Sequence, residues 1–237
     1  MRGRILGIPE RFRSAWRARQ KNRGEAVVLL HGLGSHPATM TLLGMRLRIA
    51  GYRVVNPKYP STTQPLEKLV DQLAAVVDRC RADGADVVHF VAHSLGSIVV
   101  RAYLAGQKDS HNGRVVMLSP PNQGTEIVDA FQRSPLLTRL LGPVGARLGT
   151  DAASIPSSLG PADFEVGIIT GTRSVNPIGS WIIPGPSDGS VSVERARLEG
   201  AAAFKAIGGT HTFLMNRRDV AKDTLCFLRE GRFHDSG

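Results

Sequence analysis

The segment Val87–Arg101, VVHFVAHSLGSIVVR, constrains the fold more than any other stretch of this chain. Its first half is a near-continuous apolar run, Val87, Val88, Phe90, Val91 and Ala92, as expected of a strand buried on both faces. Its second half continues with apolar residues at Leu95, Ile98, Val99 and Ala102, the spacing of a helix. Only Ser94 separates the two. A strand that becomes a helix across one residue drives that residue into a strained backbone region. Small residues two positions away, here Ala92 and Gly96, keep so tight a turn free of collisions. The turn lifts the Ser94 hydroxyl above the sheet, and the Leu95 N–H points to the same place from a helix N-terminus. The pattern predicts a serine nucleophile with one oxyanion donor built in; a plain strand-to-helix turn is the competing reading.

The rest of the chain repeats the strand–helix rhythm. Ala26–Leu30 is an apolar strand that runs into His31-Gly32-Leu33-Gly34, where glycines let the backbone turn close to another group. Met40–Ala50 has helical periodicity and stops at Gly51, and Tyr52–Val55 is a short strand. Leu66–Arg81 is an amphipathic helix with Leu66, Leu69, Val70, Leu73, Val76 and Val77 on one stripe. Arg114–Leu118, Val166–Thr170 and Ala203–Ile207 read as further strands, and Asn216–Arg229 as a closing helix. Strands alternating with helices predict an α/β domain, mostly parallel, with helices on both faces. Sites in such sheets lie at the strands' C-terminal ends, the rim that Leu33 and Ser94 share. Residues 119–164 break the rhythm with short apolar pieces, Ile127–Phe131, Leu136–Leu141 and Val144–Leu148, divided by proline and glycine. Leaving from a strand's C-terminal end, this insertion reads as a cap that supplies an apolar wall over Ser94; a satellite helical pair away from the site is the alternative. The expected organisation is a basic arm (1–25) and one domain (26–237).

The net charge of +10 suggests nucleic acid until it is located. Within residues 1–24, eight basic residues, Arg2, Arg4, Arg11, Arg13, Arg17, Arg19, Lys21 and Arg23, stand against Glu10 alone. The remainder is close to balance, so no nucleic-acid partner is expected. In the arm, Ile8, Phe12 and Trp16 recur at four-residue spacing, a face suited either to packing on the domain or to peripheral contact with a membrane surface. No stretch reaches the roughly 18 apolar residues of a membrane span, and the arginine-rich N-terminus lacks a secretory core, so a cytoplasmic protein is expected, with peripheral membrane association as the alternative. Cys80 and Cys226 lie in expected helices and read as small buried hydrophobes, with neither a disulfide nor a metal site implied.

A serine hydroxyl needs a base to take its proton. Of seven histidines, only His211 follows a late strand on a glycine loop at the rim of Ser94. His31 belongs to the glycine loop and His93 is expected to point away from Ser94. His89 lies within the central strand, and His36, His111 and His234 lie in loops or the tail. The acid that orients the base belongs between Ser94 and His211 in the chain. Asp188 follows the Val166–Thr170 strand, on the rim side, whereas Asp163 precedes it; Asp163 and Glu194 are the fallbacks. A simple Asp-Gly turn is the competing reading of Asp188.

HGLG, AHSLG, SPPNQGTE, PSDGSVSVE and GGTHTFLM, in this order and spacing, resemble the small bacterial lipase/esterase branch of the α/β-hydrolases, over about residues 26–228. The pattern is also similar to the GPI-inositol-deacylase-like lipases. Ala92 departs from the usual first glycine, and Ser97 stands where a further glycine is common. The resemblance implies an α/β-hydrolase fold, Ser94 as nucleophile, Asp188 and His211 as its partners, and Leu33 and Leu95 N–H groups as oxyanion donors. The chemistry needs a small-molecule ester substrate and no metal or organic cofactor, and the apolar cap suggests that the ester is hydrophobic. A thioesterase or acyltransferase would use the same residues. A non-catalytic binding protein of this fold, or a lipid-surface adaptor driven by the arm, are the alternatives of a different class.

Overall fold

The structure, a computed structural model, describes residues 24–106 and 113–234. The arm's Ile8, Phe12, Trp16 and arginines, and His111, lie outside the described residues. Among those described, six strands form one sheet: β1 (Glu25–Leu30), β2 (Arg53–Val55), β3 (Val87–His93), β4 (Val115–Leu118), β5 (Val166–Gly171) and β6 (Ala203–Ile207). The order is β2-β1-β3-β4-β5-β6 and every pairing is parallel. The helices in chain order are α1 (Thr41–Ile49), α2 (Leu66–Ala82), α3 (Leu95–Ala105), α4 (Glu126–Gln132), α5 (Pro135–Gly145), α6 (Ile155–Ser158), α7 (Pro177–Ile182) and α8 (Arg218–Glu230).

The central strands are apolar throughout because both faces are covered. Alternate residues project to opposite layers. Ala26, Val28, Leu30, Val88, Phe90, Ala92 and Met117 pack in one layer with Leu69, Leu73 and Val77 of α2 and Ile98 and Val99 of α3. Val27, Leu29, Val91, Val116 and Leu118 pack in the other with Leu43 and Leu47 of α1 and Val220, Ala221 and Phe227 of α8. Each large side chain so removed from water contributes about 1.5–3 kcal/mol, making these two layers the main stabilising term. Cys80 in α2 is buried in the first layer; Cys226 in α8 is half-buried rather than buried, and the two are not joined in a disulfide.

Parallel strands all end at one rim. It therefore carries the Gly32–Gly34 turn after β1, Ser94 after β3, Ser119 after β4, residues 172–189 after β5 and Gly208–His211 after β6. The insertion contains α4, α5 and the unanticipated short α6. Inside α5, Gly142 takes φ 68°, ψ 179° and is followed by Pro143, which divides the segment where the sequence predicts a break. Gly145 seats against the Leu33 side chain so closely that a Cβ there would lie 2.7 Å from Leu33 Cδ2. The insertion thus rests on the loop after β1, beside the rim.

Three boundaries differ from the sequence expectation. Pro37–Met40 forms a separate 3-10 turn capped by His36, so α1 starts at Thr41. Leu214–Asn216 forms another, delaying α8 to Arg218. The segment after β5, whose glycine, proline and serine read as loop, folds locally into α7 because the Asn176 side chain accepts from the Ile178 N–H and Pro177 opens the helix.

Candidate active site

Ser94 takes φ 52°, ψ −122°, a region that costs a non-glycine residue on the order of 1–3 kcal/mol. Its neighbours hold it there: the Ser94 N–H donates to the Leu118 carbonyl at 2.9 Å, and the Ser97 N–H to the Ser94 carbonyl at 2.9 Å. The requirement for small flanking residues is visible at Gly96, where a Cβ would lie 2.8 Å from both the Leu30 Cβ and the Leu30 carbonyl oxygen. Only glycine lets the first turn of α3 come down onto the end of β1. Gly32 closes the other side, its Cβ position 3.1 Å from the Ser94 Cβ. The loop carrying Leu33 is therefore in contact with the serine. The Ser61 hydroxyl accepts from the Gly34 N–H at 3.1 Å, and the Tyr59 hydroxyl donates to the His31 carbonyl while its ring stacks on His31 at 4.2 Å. Neither the Leu33 nor the Leu95 N–H donates to any described residue.

Asp188 and His211 are joined at 2.8 Å between Oδ2 and Nδ1. The Asp188 side chain is fully buried, and its Oδ1 accepts from the Ser190 and Val191 N–H groups, each at 2.9 Å. Burial alone would push this carboxyl up; the neighbouring His211, with donors that include the Val191 N–H, outweighs burial and holds it below the ordinary carboxylate range. The Ser119 hydroxyl, on a backbone at φ 48°, faces Asp188 and favours the ionised form, although its geometry falls short of a full hydrogen bond. An ionised carboxylate only accepts, so His211 Nδ1 carries a proton, and in the neutral imidazole Nε2 is the nitrogen with the lone pair. The His211 N–H donates to the Asp188 carbonyl at 3.0 Å, a second tie between the two residues.

The structure contains no hydrogen bond between Ser94 Oγ and His211. His211 is brought to the elbow through Ser94's own neighbour. The His93 Nε2–H donates to the His211 carbonyl at 3.0 Å, and the two rings lie 4.7 Å apart. The sequence reading gives His93 no part in the site; the structure turns its ring to His211. Strand alternation places His93 with Val91 on the α8 side of the sheet, the signal that could have found it. Asp163 is exposed at the starting end of β5, and Glu194 pairs with Arg197 at 3.2 Å, so neither fallback acid meets His211. His89 is bonded to Glu25 and to the Arg114 N–H, and the His234 N–H donates to Asp223, both within the scaffold.

Burial lowers the pKa of His93 to about 3, and desolvation also lowers those of His31 and His89. The His93 ring stays neutral in the fold down to about pH 3 but binds a proton in the unfolded chain below about pH 6.5. Stability is therefore fully present above that value and falls as pH drops from about 6.5 toward 3, because the unfolded state then holds more protons. Urea midpoints measured from pH 7 down to 4 should fall steadily for the natural chain and less steeply for His93→Gln. Identical slopes would show that His93 is not held neutral.

A parallel sheet with a strained serine after its central strand, and a buried Asp–His pair on the same rim, defines an α/β protein of the hydrolase type. A family model described as the alpha/beta hydrolase family matches residues 27–219, and the chain belongs to that family. Solved structures agree on the fold. Lipase BlEst2 of Bacillus licheniformis in its mature form is 17% identical with a TM-score of 0.68, over 88% of this chain and 92% of that one. Aspergillus fumigatus lipase B is 16% identical with a TM-score of 0.65, over 92% and 55%. Phospholipase PlaB of Legionella pneumophila is 16% identical with a TM-score of 0.66, over 84% and 56%. No curated protein sequence matches the chain.

Proposed function

We propose that the protein is a serine hydrolase of carboxylic esters, working through an acyl-enzyme, with Ser94, His211 and Asp188 as the catalytic set. The observation that carries this reading is the buried Asp188–His211 bond at 2.8 Å, at the rim where Ser94 is held in a strained turn. His211 Nε2 takes the proton as Ser94 Oγ attacks the ester carbonyl. The Leu33 and Leu95 N–H groups, free of protein acceptors, receive the oxyanion. Collapse of the tetrahedral species breaks the ester C–O bond, and His211 returns the proton to the leaving alcohol. Water then attacks the acyl-enzyme with His211 again as base, releasing the acid and restoring the Ser94 hydroxyl. Asp188 keeps the imidazole in the required tautomer and stabilises its charged form. No step calls on a metal or organic cofactor.

A hydrophobic acyl group is favoured by the surroundings of the rim. Leu136 and Leu140 on α5, which rests on Leu33, are 71% and 68% exposed. Trp181 on α7 is 88% exposed, and α7 packs against Gly189, next to Asp188. Phe213, two residues after His211, is exposed as well. This is more apolar surface than a water-soluble substrate requires, and it also suits peripheral contact with lipid; no helix among the described residues is long and apolar enough to cross a membrane.

Turnover of p-nitrophenyl esters from two to sixteen carbons, with an acyl thioester and an alcohol acceptor in parallel, tests the reading. The expected result is hydrolysis that favours medium or long acyl chains and increases with lipid vesicles present. Preference for the thioester, or transfer to the alcohol over water, would assign the same residues to a thioesterase or acyltransferase. No turnover of any substrate would leave a binding protein of this fold.

A further inference from the structure

A cavity of about 330 Å³ lies between α3 and the insertion, and none of Ser94, Asp188 and His211 lines it. Its wall includes Arg101, Arg195, Arg197, Gln123, Thr150 and Ser157, with Glu199 as its one acid. Arg101, on α3, is only 3% exposed. Its Nη1 donates to the Asn122 carbonyl at 3.0 Å and to Asn122 Oδ1 at 3.3 Å; its Nη2 donates to the Pro156 carbonyl at 3.3 Å and the Gly160 carbonyl at 2.7 Å. All four acceptors are neutral, and no described carboxylate is within ion-pair range of this guanidinium. Burial lowers its pKa to about 10, which still leaves the charge in place at neutral pH. A buried cation satisfied only by carbonyl and amide oxygens keeps an uncompensated field in the low-dielectric interior.

The other two arginines are each tied to a carboxylate through Nε. Arg195 Nε is held by Glu126 at 3.1 Å and its Nη1 by the Gln123 carbonyl at 3.1 Å, while its Nη2 has no described acceptor. Arg197 Nε is held by Glu194 at 3.2 Å, and its guanidinium lies 4.4 Å over the Phe204 ring, leaving both Nη groups without described acceptors. Arginine side chains on the wall of one cavity suit a tetrahedral oxyanion, which takes several charge-assisted bonds at once. We propose that this cavity is an anion site for a phosphate-type group, with Arg101 supplying the buried charge and Arg195 and Arg197 the free donors. An anion here joins α3, the insertion and residues 195–197, which follow the Asp188 loop. The two chemically equivalent sources are free phosphate and the phosphate of a lipid headgroup.

The test is calorimetric titration of the full chain at constant ionic strength with inorganic phosphate and, separately, with monomeric short-chain phosphatidic acid, alongside thermal midpoints. Saturable one-to-one binding and a rising midpoint are expected with at least one of them. Binding of both shows that the phosphate group suffices; binding of the lipid alone assigns the headgroup as the source. Arg197→Gln should weaken the binding on the order of tenfold, and Arg139→Gln, which removes an exposed charge from α5, should leave it unchanged. Arg197 is the decisive position because Arg101→Met removes the bonds that tie the insertion to α3 and is expected to compromise folding. Absence of saturable binding by the folded natural chain, or equal weakening in Arg197→Gln and Arg139→Gln, would overturn the proposal. Neither outcome depends on ester turnover.

Discussion

Ser94→Ala should reduce ester turnover on the order of 10⁶-fold while the protein stays folded. The substitution removes the oxygen proposed to attack and almost nothing else. The Ser94 side chain makes no capping hydrogen bond, and the turn is held by backbone bonds to Leu118 and from Ser97 that alanine retains. Gly96 against Leu30 and Gly32 against the Ser94 Cβ also stay as they are. Thermal midpoints and circular dichroism should match those of the natural chain. A clean preparation of the variant with appreciable turnover would place the nucleophile elsewhere.

The next largest effect is expected at the acid. Asp188→Asn should lower kcat on the order of 10⁴-fold by analogy with other serine triads. The variant can still accept from the Ser190 and Val191 N–H groups through its amide oxygen, so the loop keeps its shape. The amide nitrogen then faces His211 Nδ1, where two donors cannot meet. The imidazole changes tautomer and turns a protonated Nε2 toward Ser94, which disables the base. Asp163→Asn should leave turnover within a few-fold. Asp163 lies at the starting end of β5, a strand length of some ~15 Å from the rim. Kinetics of the two purified variants decide between them, and the reverse ranking would overturn the role assigned to Asp188.

The choice between these carboxylates shows how far the sequence carries. It depended only on strand direction, and the alternation of apolar runs with helical stripes favours parallel strands joined by helical crossovers. Ser94 was legible for a related reason: a strand and a helix that share one residue leave only one backbone geometry. His93 was not, because its role depends on β6 and the Gly208–Gly209 turn delivering the His211 carbonyl to it, a contact between residues 118 positions apart. Ser119 was hidden in the same way, since nothing local to Ser-Pro-Pro marks a hydroxyl that faces Asp188 across two strand ends. Short helices such as α6 and α7 escape periodicity because four or six residues hold too little of a repeat to read. The insertion was recognised as an interruption, but its seat on Leu33 is set by glycine contacts that only the packed chain displays.

Reaction of the natural chain with a fluorophosphonate, followed by peptide mass mapping, tests the central claim most directly. The reagent needs an activated nucleophile beside oxyanion donors, so it reports the assembled site whatever the natural ester is. The expected result is a single adduct on Ser94, absent in Ser94→Ala and formed far more slowly in His211→Gln. An unlabelled protein, or an adduct on any other residue, would contradict the assignment of Ser94, His211 and Asp188 as a working catalytic set.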